Sequence, residues 1–171
     1  MPSGGIVVLM SKLFENFWQW YEKHYTLNVT IAAILFTLQL IHLYWLTTHV
    51  VFFRLFGINL FSPPPFWETI IILVDYTEIP ALITTSLVYI NELRKKYQLK
   101  SVLYLIFLNS QFLHIFWITD EFVEGRLTGA PEATILPLWL AFIAIAIDYL
   151  ELPVIFETLA KALKEIKKYL G

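Results

Sequence analysis

The sequence predicts an all-α integral membrane protein, in which four transmembrane helices form an antiparallel bundle behind an N-terminal amphipathic helix. Of the 171 residues, 58% are hydrophobic and only 15% are charged. A soluble domain is about half apolar and about one quarter charged, so this composition is typical of a membrane protein. The apolar residues also form long runs, and the same polar signatures recur in both halves of the chain. Together these observations predict a bundle built from two tandem two-helix repeats.

Four segments are long and apolar enough to cross the hydrocarbon core as helices, which takes about 20 residues. They are 28–55, 66–91, 100–122 and 134–158. In the segment 1–27, the stretch KLFENFWQWYEKHY carries charges at helical spacing with aromatic residues between them. That pattern predicts an amphipathic helix lying in the membrane interface. Clusters of proline and glycine separate the first span from the second and the third from the fourth.

The basic residues predict the orientation of the spans. Arg54 and Arg126 fall on one side of the membrane, and the other lysines and arginines fall on the opposite side. The positive-inside rule then places both termini in the cytoplasm, and the loops 57–65 and 123–133 outside it. A net charge of −2 without a basic patch argues against a nucleic-acid partner. The absence of cysteine excludes disulfides, thiolate metal sites and cysteine nucleophiles.

The two halves of the chain share polar residues in one order, which indicates a duplication. With an offset of 72, Gln39, His42, Trp45 and Thr47 align with Gln111, His114, Trp117 and Thr119. With an offset of 73, DYTEIP at 75–80 aligns with DYLELP at 148–153. We therefore assign 28–99 to the first repeat and 100–171, with its basic C-terminal tail, to the second. Because each repeat has two spans, a pseudo-two-fold axis along the membrane normal should relate them within one membrane domain.

Ionisable residues at bilayer depth predict a metal site in the bundle core. The helical rise of about 1.5 Å per residue arranges eight candidate ligands in two layers. The outer layer contains His49, Asp75, Glu121 and Asp148, and the inner layer contains His42, Glu78, His114 and Glu151. Ligands on the same span are three or seven residues apart, so they share one helix face.

The charge of these ligands is the reason to expect metal. Five of them are carboxylates, and the buried lengths of the spans contain no lysine or arginine to neutralise them. A carboxylate in hydrocarbon has to pair, take up a proton or bind a cation. Histidine with carboxylates and no thiolate suits Zn²⁺, Fe²⁺ or Mn²⁺ more than Ca²⁺ or Cu⁺, so we predict two divalent ions of this group. The alternative that these groups only bond to one another and steady the bundle stays open.

Further polar residues are candidates for orienting the ligands. They are Gln39, Thr47, Tyr76, Gln111, Thr119 and Tyr149. The glutamines lie one turn from the histidines, where they could bond the free imidazole nitrogens, as metal-bound histidine usually requires. The threonines could do the same or cap a carbonyl of the preceding turn, and the tyrosines could donate hydrogen bonds or simply pack. Pro80 and Pro153 should each kink a span beside the acidic pair. The role of Asp120 is left undecided.

The predicted centre resembles, in architecture, the inner site of the ferritin-like di-iron and di-manganese carboxylate proteins, where paired helices contribute carboxylates and histidines. Their Glu-x-x-His motif is absent, and Asp-x-x-Glu takes its place. We therefore expect a metal-dependent enzyme, an oxidoreductase or a hydrolase, acting in the lipid bilayer on a lipid-soluble or small substrate. Two alternatives remain: a proton or divalent-cation transporter, which with so few spans would need a homo-oligomer, and a haem b protein with His42 and His114 as axial ligands.

Overall fold

The computed structural model describes residues 3–119 and 138–170, and the regular structure of these residues is entirely helical. The elements are α1 (Ser3–Lys23), α2 (Tyr25–Trp45), a π-helical segment (Leu46–Val51), α3 (Phe52–Phe56), α4 (Pro65–Tyr76), α5 (Glu78–Lys95), α6 (Leu99–Ile118), α7 (Leu138–Asp148) and α8 (Glu151–Leu170). The predicted all-α class is confirmed for this part of the chain.

Among the described residues, three helical stretches are long and apolar enough to cross a membrane: Tyr25–Phe56, Pro65–Lys95 and Leu99–Trp117. They coincide with the first three predicted spans. The fourth predicted span, 134–158, begins outside the described residues, and its described part comprises α7 and the start of α8. The outward faces of these helices are apolar, as Ile34 and Ile41 on α2 and Phe112 and Phe116 on α6 illustrate. Such an exterior is what a lipid-facing helix requires.

Proline and glycine set the boundaries between the first two stretches. Gly57 ends α3 in the left-handed conformation at φ +67°, and its amide donates a hydrogen bond to the carbonyl of Phe53 at 2.9 Å. This is the C-terminal position that glycine fills at low conformational cost. Pro65 then opens α4 at its first turn, where the missing N–H leaves no hydrogen bond unmade.

Two of the long helices are broken at matching places, as the prolines predict. A single residue, Thr77, separates α4 from α5, and residues 149–150 separate α7 from α8. At both breaks the chain tightens to a three-residue turn: the Thr77 amide donates to the Val74 carbonyl at 2.9 Å, and the Leu150 amide donates to the Ile147 carbonyl at 2.8 Å. Pro80 and Pro153 follow these breaks closely. Because proline has no N–H, the regular pattern of helical hydrogen bonds cannot continue through either break.

The long helices pack around a common core. Helix α2 contacts α4, α5 and α8, while α6 contacts α5, α7 and α8. The stretches therefore close a ring in the order α2, α4–α5, α6, α7–α8. The largest buried side chains in this core are Phe36, Trp45, Leu46, Tyr89, Leu108, Trp117 and Ile155. Helix α1 lies against the start of α2 with Trp18 and Tyr21 buried, and exposes apolar residues such as Leu13 and Phe14.

An ion-pair network ties three helices together at the end of the ring where α5 turns into α6. The Lys161 ammonium on α8 lies 3.1 Å from a Glu92 carboxylate oxygen on α5 and 3.0 Å from one of Glu157. It also lies 4.6 Å from the centroid of the Tyr89 ring. From α6, Ser101 donates to Glu92 at 3.0 Å and Lys100 pairs with Glu157 at 2.7 Å. Since Lys161 is only 19% exposed, its pairs are less screened than ordinary surface pairs.

Replacing Lys161 by alanine should lower the stability of the protein by about 1–2 kcal/mol, because Glu92 and Glu157 lose a charged hydrogen-bond partner. The measurement is the thermal unfolding midpoint of the detergent-solubilised protein. Lys168→Ala is the matched control, since Lys168 is 60% exposed and its pair with Glu165 lies within one helix. Equal midpoints for the two variants would contradict a structural role for the network.

Candidate metal centre

Two histidines and two aspartates meet at the centre of the ring of helices. His42 on α2 and His114 on α6 face each other, with ring centroids 5.3 Å apart in an edge-to-face arrangement. Asp75 is near the end of α4 and Asp148 is the last residue of α7, so each aspartate stands at a helix break. All four side chains are no more than 1% exposed.

The four distances within this group are longer than hydrogen bonds, and the shortest of them matches the spacing of two ligands on one metal ion. His42 Nε2 lies 3.4 Å from Asp75 Oδ1 and 3.8 Å from Asp148 Oδ2. His114 Nε2 lies 3.7 Å from Asp75 Oδ1 and 3.7 Å from Asp148 Oδ1. An N–H···O hydrogen bond spans about 2.7–3.2 Å. Two ligands on a tetrahedral ion, each about 2.0–2.2 Å from it, are about 3.3–3.6 Å apart.

Two glutamates extend the cluster on its other side. Glu78 and Glu151 are the first residues of α5 and α8, directly after the breaks, and both are 1% exposed. One donor atom each from Glu78, Glu151 and Asp148 lie within 4.8 Å of one another. The same holds for His42, His114 and Asp148. Asp148 therefore belongs to both groups.

Most donor atoms of this cluster have no hydrogen-bond partner in the described part of the chain. This holds for both ring nitrogens of His42 and His114, both carboxylate oxygens of Asp75 and Glu78, and one oxygen each of Asp148 and Glu151. Nearly all buried polar groups in proteins are hydrogen-bonded, because removing them from water unpaired is costly. A set of orphaned donor atoms facing a common centre is what bound cations would satisfy.

His49, a predicted outer ligand, lies elsewhere. Its Nδ1 is 2.9 Å from the carbonyl of Phe61 and 3.2 Å from the side-chain oxygen of Asn59, and its ring stacks on Trp45. The structure thus places His49 against the loop after α3, and it groups Asp75 and Asp148 with the histidines of the predicted inner layer instead. The reason is the π-helical segment: its wider turn rotates residue 49 away from the face that an unbroken α-helix would give it. Glu121 and Asp120 lie outside the described residues.

The glutamines hold the broken helices rather than the imidazoles. The Gln39 side-chain amide donates to the Thr77 hydroxyl at 3.0 Å and approaches the Val74 carbonyl at 3.4 Å. The Gln111 amide donates to the Ile147 carbonyl at 3.0 Å. The side-chain amides of both glutamines donate at the breaks, which expose carbonyls that need donors. Fixing these turns also fixes the aspartate and glutamate on either side of each break.

The threonines and tyrosines form two matching bridges between helices. Thr47 and Thr119 donate their hydroxyl protons to the Leu43 and Ile115 carbonyls, at 2.7 and 2.8 Å. Their oxygens then accept from tyrosine: Tyr149 bonds Thr47, and Tyr76 bonds Thr119, each at 2.7 Å. The threonines therefore cap the preceding turn, one of the two roles expected from sequence. Because each tyrosine follows an aspartate ligand, the bridges also position Asp75 and Asp148.

The charge of the described cluster defines what it can bind. It contains four carboxylates, from Asp75, Glu78, Asp148 and Glu151, and two imidazoles that are ligands in their neutral form. Within residues 3–119 and 138–170, the basic side chains at ion-pair distance from these carboxylates are those of the two histidines. Two divalent cations would bring four positive charges against four negative ones. The net negative charge of the cluster is therefore one that a metal ion could balance.

Replacing Glu151 by glutamine should stabilise the metal-free protein by about 1 kcal/mol or more at pH 8, because a neutral amide is less costly to bury beside Asp148 and Glu78. The measurement is thermal unfolding in detergent with a chelator present. Glu92→Gln is the control with the same chemical change, and it should lower the midpoint because Glu92 pairs with Lys161. A midpoint for Glu151→Gln at or below that of the parent would show that the carboxylates do not repel one another.

Comparison with known proteins assigns no family to this geometry: no protein-family model matches the chain, and no curated protein or solved structure matches it either. The donor atoms and the helices that position them are therefore the features that indicate a function.

Proposed function

We propose that this chain is an intramembrane protein that binds two divalent metal ions in the core of a four-helix bundle and acts as a metal-dependent enzyme on a lipid-soluble or small substrate. One observation carries the proposal: six side chains with the chemistry of metal ligands are buried together, and most of their donor atoms lack hydrogen-bond partners among the described residues. A purely structural cluster of this kind would leave four carboxylates uncompensated in an apolar core.

The bundle consists of two repeats, with α7 and α8 forming the fourth span. Matched interactions support this. Both glutamines approach the carbonyl three residues before a helix break, Val74 and Ile147, which align at the offset of 73. The two tyrosine–threonine bridges likewise exchange under the repeat, since each joins a tyrosine of one half to a threonine of the other. A pseudo-two-fold axis through the metal centre accounts for these pairs.

The bundle crosses the membrane with both termini in the cytoplasm. The turn between α5 and α6 and the end of α8 carry most of the basic residues, among them Arg94, Lys95, Lys100 and Lys164. The positive-inside rule assigns that end to the cytoplasm. The proline-rich loop after α3 then faces outward, and the metal centre lies between the two surfaces at the level of the helix breaks.

The ions that suit the ligands are Zn²⁺, Fe²⁺ and Mn²⁺. His42 and His114 supply nitrogen ligands, and the four carboxylates supply oxygen ligands. Two adjacent iron or manganese ions would supply redox chemistry with oxygen or a peroxide, whereas zinc would supply an acidic bound water for hydrolysis. Because the ligands are no more than 1% exposed, a substrate has to be small or enter from the bilayer.

Cation transport is the second candidate, and the broken helices favour it. In many transporters, ions bind near the bilayer midplane at helices that are interrupted there. Here both breaks, at Thr77 and at residues 149–150, fall between an aspartate and a glutamate of the cluster. Retention of the metal ions during purification separates the two functions. A catalytic centre keeps its ions, whereas a transport site exchanges them in each transport cycle.

A haem between His42 and His114 gains no support from the geometry. The two rings contact each other edge-to-face, and Asp75 and Asp148 lie against both. A porphyrin needs an apolar slot between its axial ligands, and carboxylates fill the space on either side of the imidazoles.

Alanine at His114 or at Glu78 should lower the metal content by at least one equivalent per chain, because each substitution removes a ligand that no neighbour can replace. The measurement is elemental analysis of protein purified without chelator, together with its absorption spectrum. Glu92→Gln serves as the control outside the cluster. Full occupancy in both variants would remove the metal centre from the proposal.

Metal affinity should rise with pH, by about tenfold per unit while one proton is displaced per ion bound, because histidine and carboxylate ligands bind metal in their deprotonated forms. The sign is set by mass action: protons compete with the cation, so affinity is lost as pH falls. Titration of chelator-treated protein with Mn²⁺ at pH 6, 7 and 8 measures this. An affinity that does not change with pH would place the ion on ligands other than these.

A further inference from the structure

The metal centre contains two unlike groups of donors that share one residue. The first consists of His42, His114 and the aspartates that face both of them. The second consists of Glu78, Glu151 and Asp148. The groups lie on opposite sides of the helix breaks, since the aspartates end one pair of helices and the glutamates begin the next. Asp148 is the link between them.

The donor atoms of the two groups differ in chemical type. Imidazole nitrogen binds zinc, iron, cobalt and copper well and magnesium and manganese poorly, whereas sites made only of carboxylate oxygens suit the harder ions. The first group presents two Nε2 atoms to one point, at 3.4 and 3.7 Å from the same Asp75 oxygen. The second group offers oxygen alone. An ion that satisfies one group is therefore not the best ion for the other.

Unpartnered donor atoms occur in both groups, so each group offers its own ligands to a cation. His42 and His114 have orphaned nitrogens, and Glu78 has two orphaned oxygens, all of them on side chains no more than 1% exposed. A single ion at the histidines would leave the Glu78 carboxylate without compensation. A single ion among the glutamates would leave the imidazoles without a ligand bond. Each position is thus required by a separate set of unsatisfied atoms.

The charges of the two groups strengthen the difference. With Asp148 counted as shared, the histidine group has one carboxylate of its own, Asp75, and the glutamate group has two. The glutamate position therefore attracts a hard cation more strongly than the histidine position does. Its oxygen ligands discriminate little between different divalent ions. The histidine position gains its selectivity from nitrogen coordination, which follows the order of increasing affinity from manganese to copper.

We infer that the two positions are inequivalent: His42, His114 and Asp75 hold a tightly bound ion of the zinc or iron type, and Glu78 with Glu151 holds an exchangeable hard ion such as Mn²⁺, with Asp148 bridging the two. This inference rests on the proposed function, because it divides the same centre into two sites. The centre is then a mixed-metal centre. The occupancy of its second position depends on the free concentration of hard cations.

A competition experiment on the full-length, detergent-solubilised protein tests the division. Chelator-treated protein receives one equivalent of Zn²⁺ and millimolar Mn²⁺, is desalted briefly, and is analysed for both elements and for the electron paramagnetic resonance of bound Mn²⁺. The expected result is one zinc and one manganese per chain. A zinc titration without manganese should show two steps at least tenfold apart in affinity.

Variants of the two groups should separate the ions. His114→Ala should lose zinc and keep manganese, while Glu78→Gln should weaken manganese at least tenfold and leave zinc within threefold of the parent. Glu92→Gln, which changes a glutamate outside the centre, should resemble the parent in both. Asp148→Asn should weaken both ions, since that residue is shared.

Two results overturn the inference in distinguishable ways. Two zinc ions of equal affinity, or loss of both ions together in His114→Ala or in Glu78→Gln, would contradict inequivalent positions while leaving a dinuclear centre intact. A parent protein that binds neither ion would overturn the proposed function itself, and the division of the centre with it.

Discussion

Four carboxylates and two imidazoles lie in the interior of a helical protein whose exterior is apolar, and the cost of keeping them there governs the rest of the structure. Each of these side chains is removed from water. Buried charges are retained only where opposite charge or several hydrogen bonds compensate them, and hydrogen bonds to their donor atoms are scarce in the described residues. Cations are the compensation that fits the donor types, their spacing and their total charge.

The polar residues around the cluster keep the helices in the arrangement that this cluster needs. Prolines interrupt two helices, and the interruption lets an aspartate and a glutamate three residues apart aim at one centre. Gln39 and Gln111 satisfy the turns that the interruptions open. The two tyrosine–threonine bridges then fix the residue beside each aspartate. These bonds lie at partly buried or exposed positions, and each one links a residue at or near a helix break to a neighbouring helix.

The sequence alone yields the all-helical class of the described residues and the six side chains of the candidate metal centre. Apolar runs of the length of a bilayer predict the long helices, because backbone groups in hydrocarbon must bond within their own segment. Polar residues recur between the two halves at offsets of 72 and 73, and an apolar composition alone would not produce such a repeat. This recurrence singles out six ionisable residues: His42, His114, Asp75, Asp148, Glu78 and Glu151. All six lie together in the structure.

Only the tertiary structure decides which of these residues touch. Depth along an ideal helix places Asp75 beside His49, but the π-helical segment turns His49 toward the loop at Phe61, and Asp75 meets His42 and His114 instead. The glutamines, one turn from the histidines in sequence, reach across to the helix breaks. Sequence spacing fixes which face of a regular helix a side chain occupies; where the winding changes, the packing of neighbouring helices determines the partner, and no one-dimensional pattern records it.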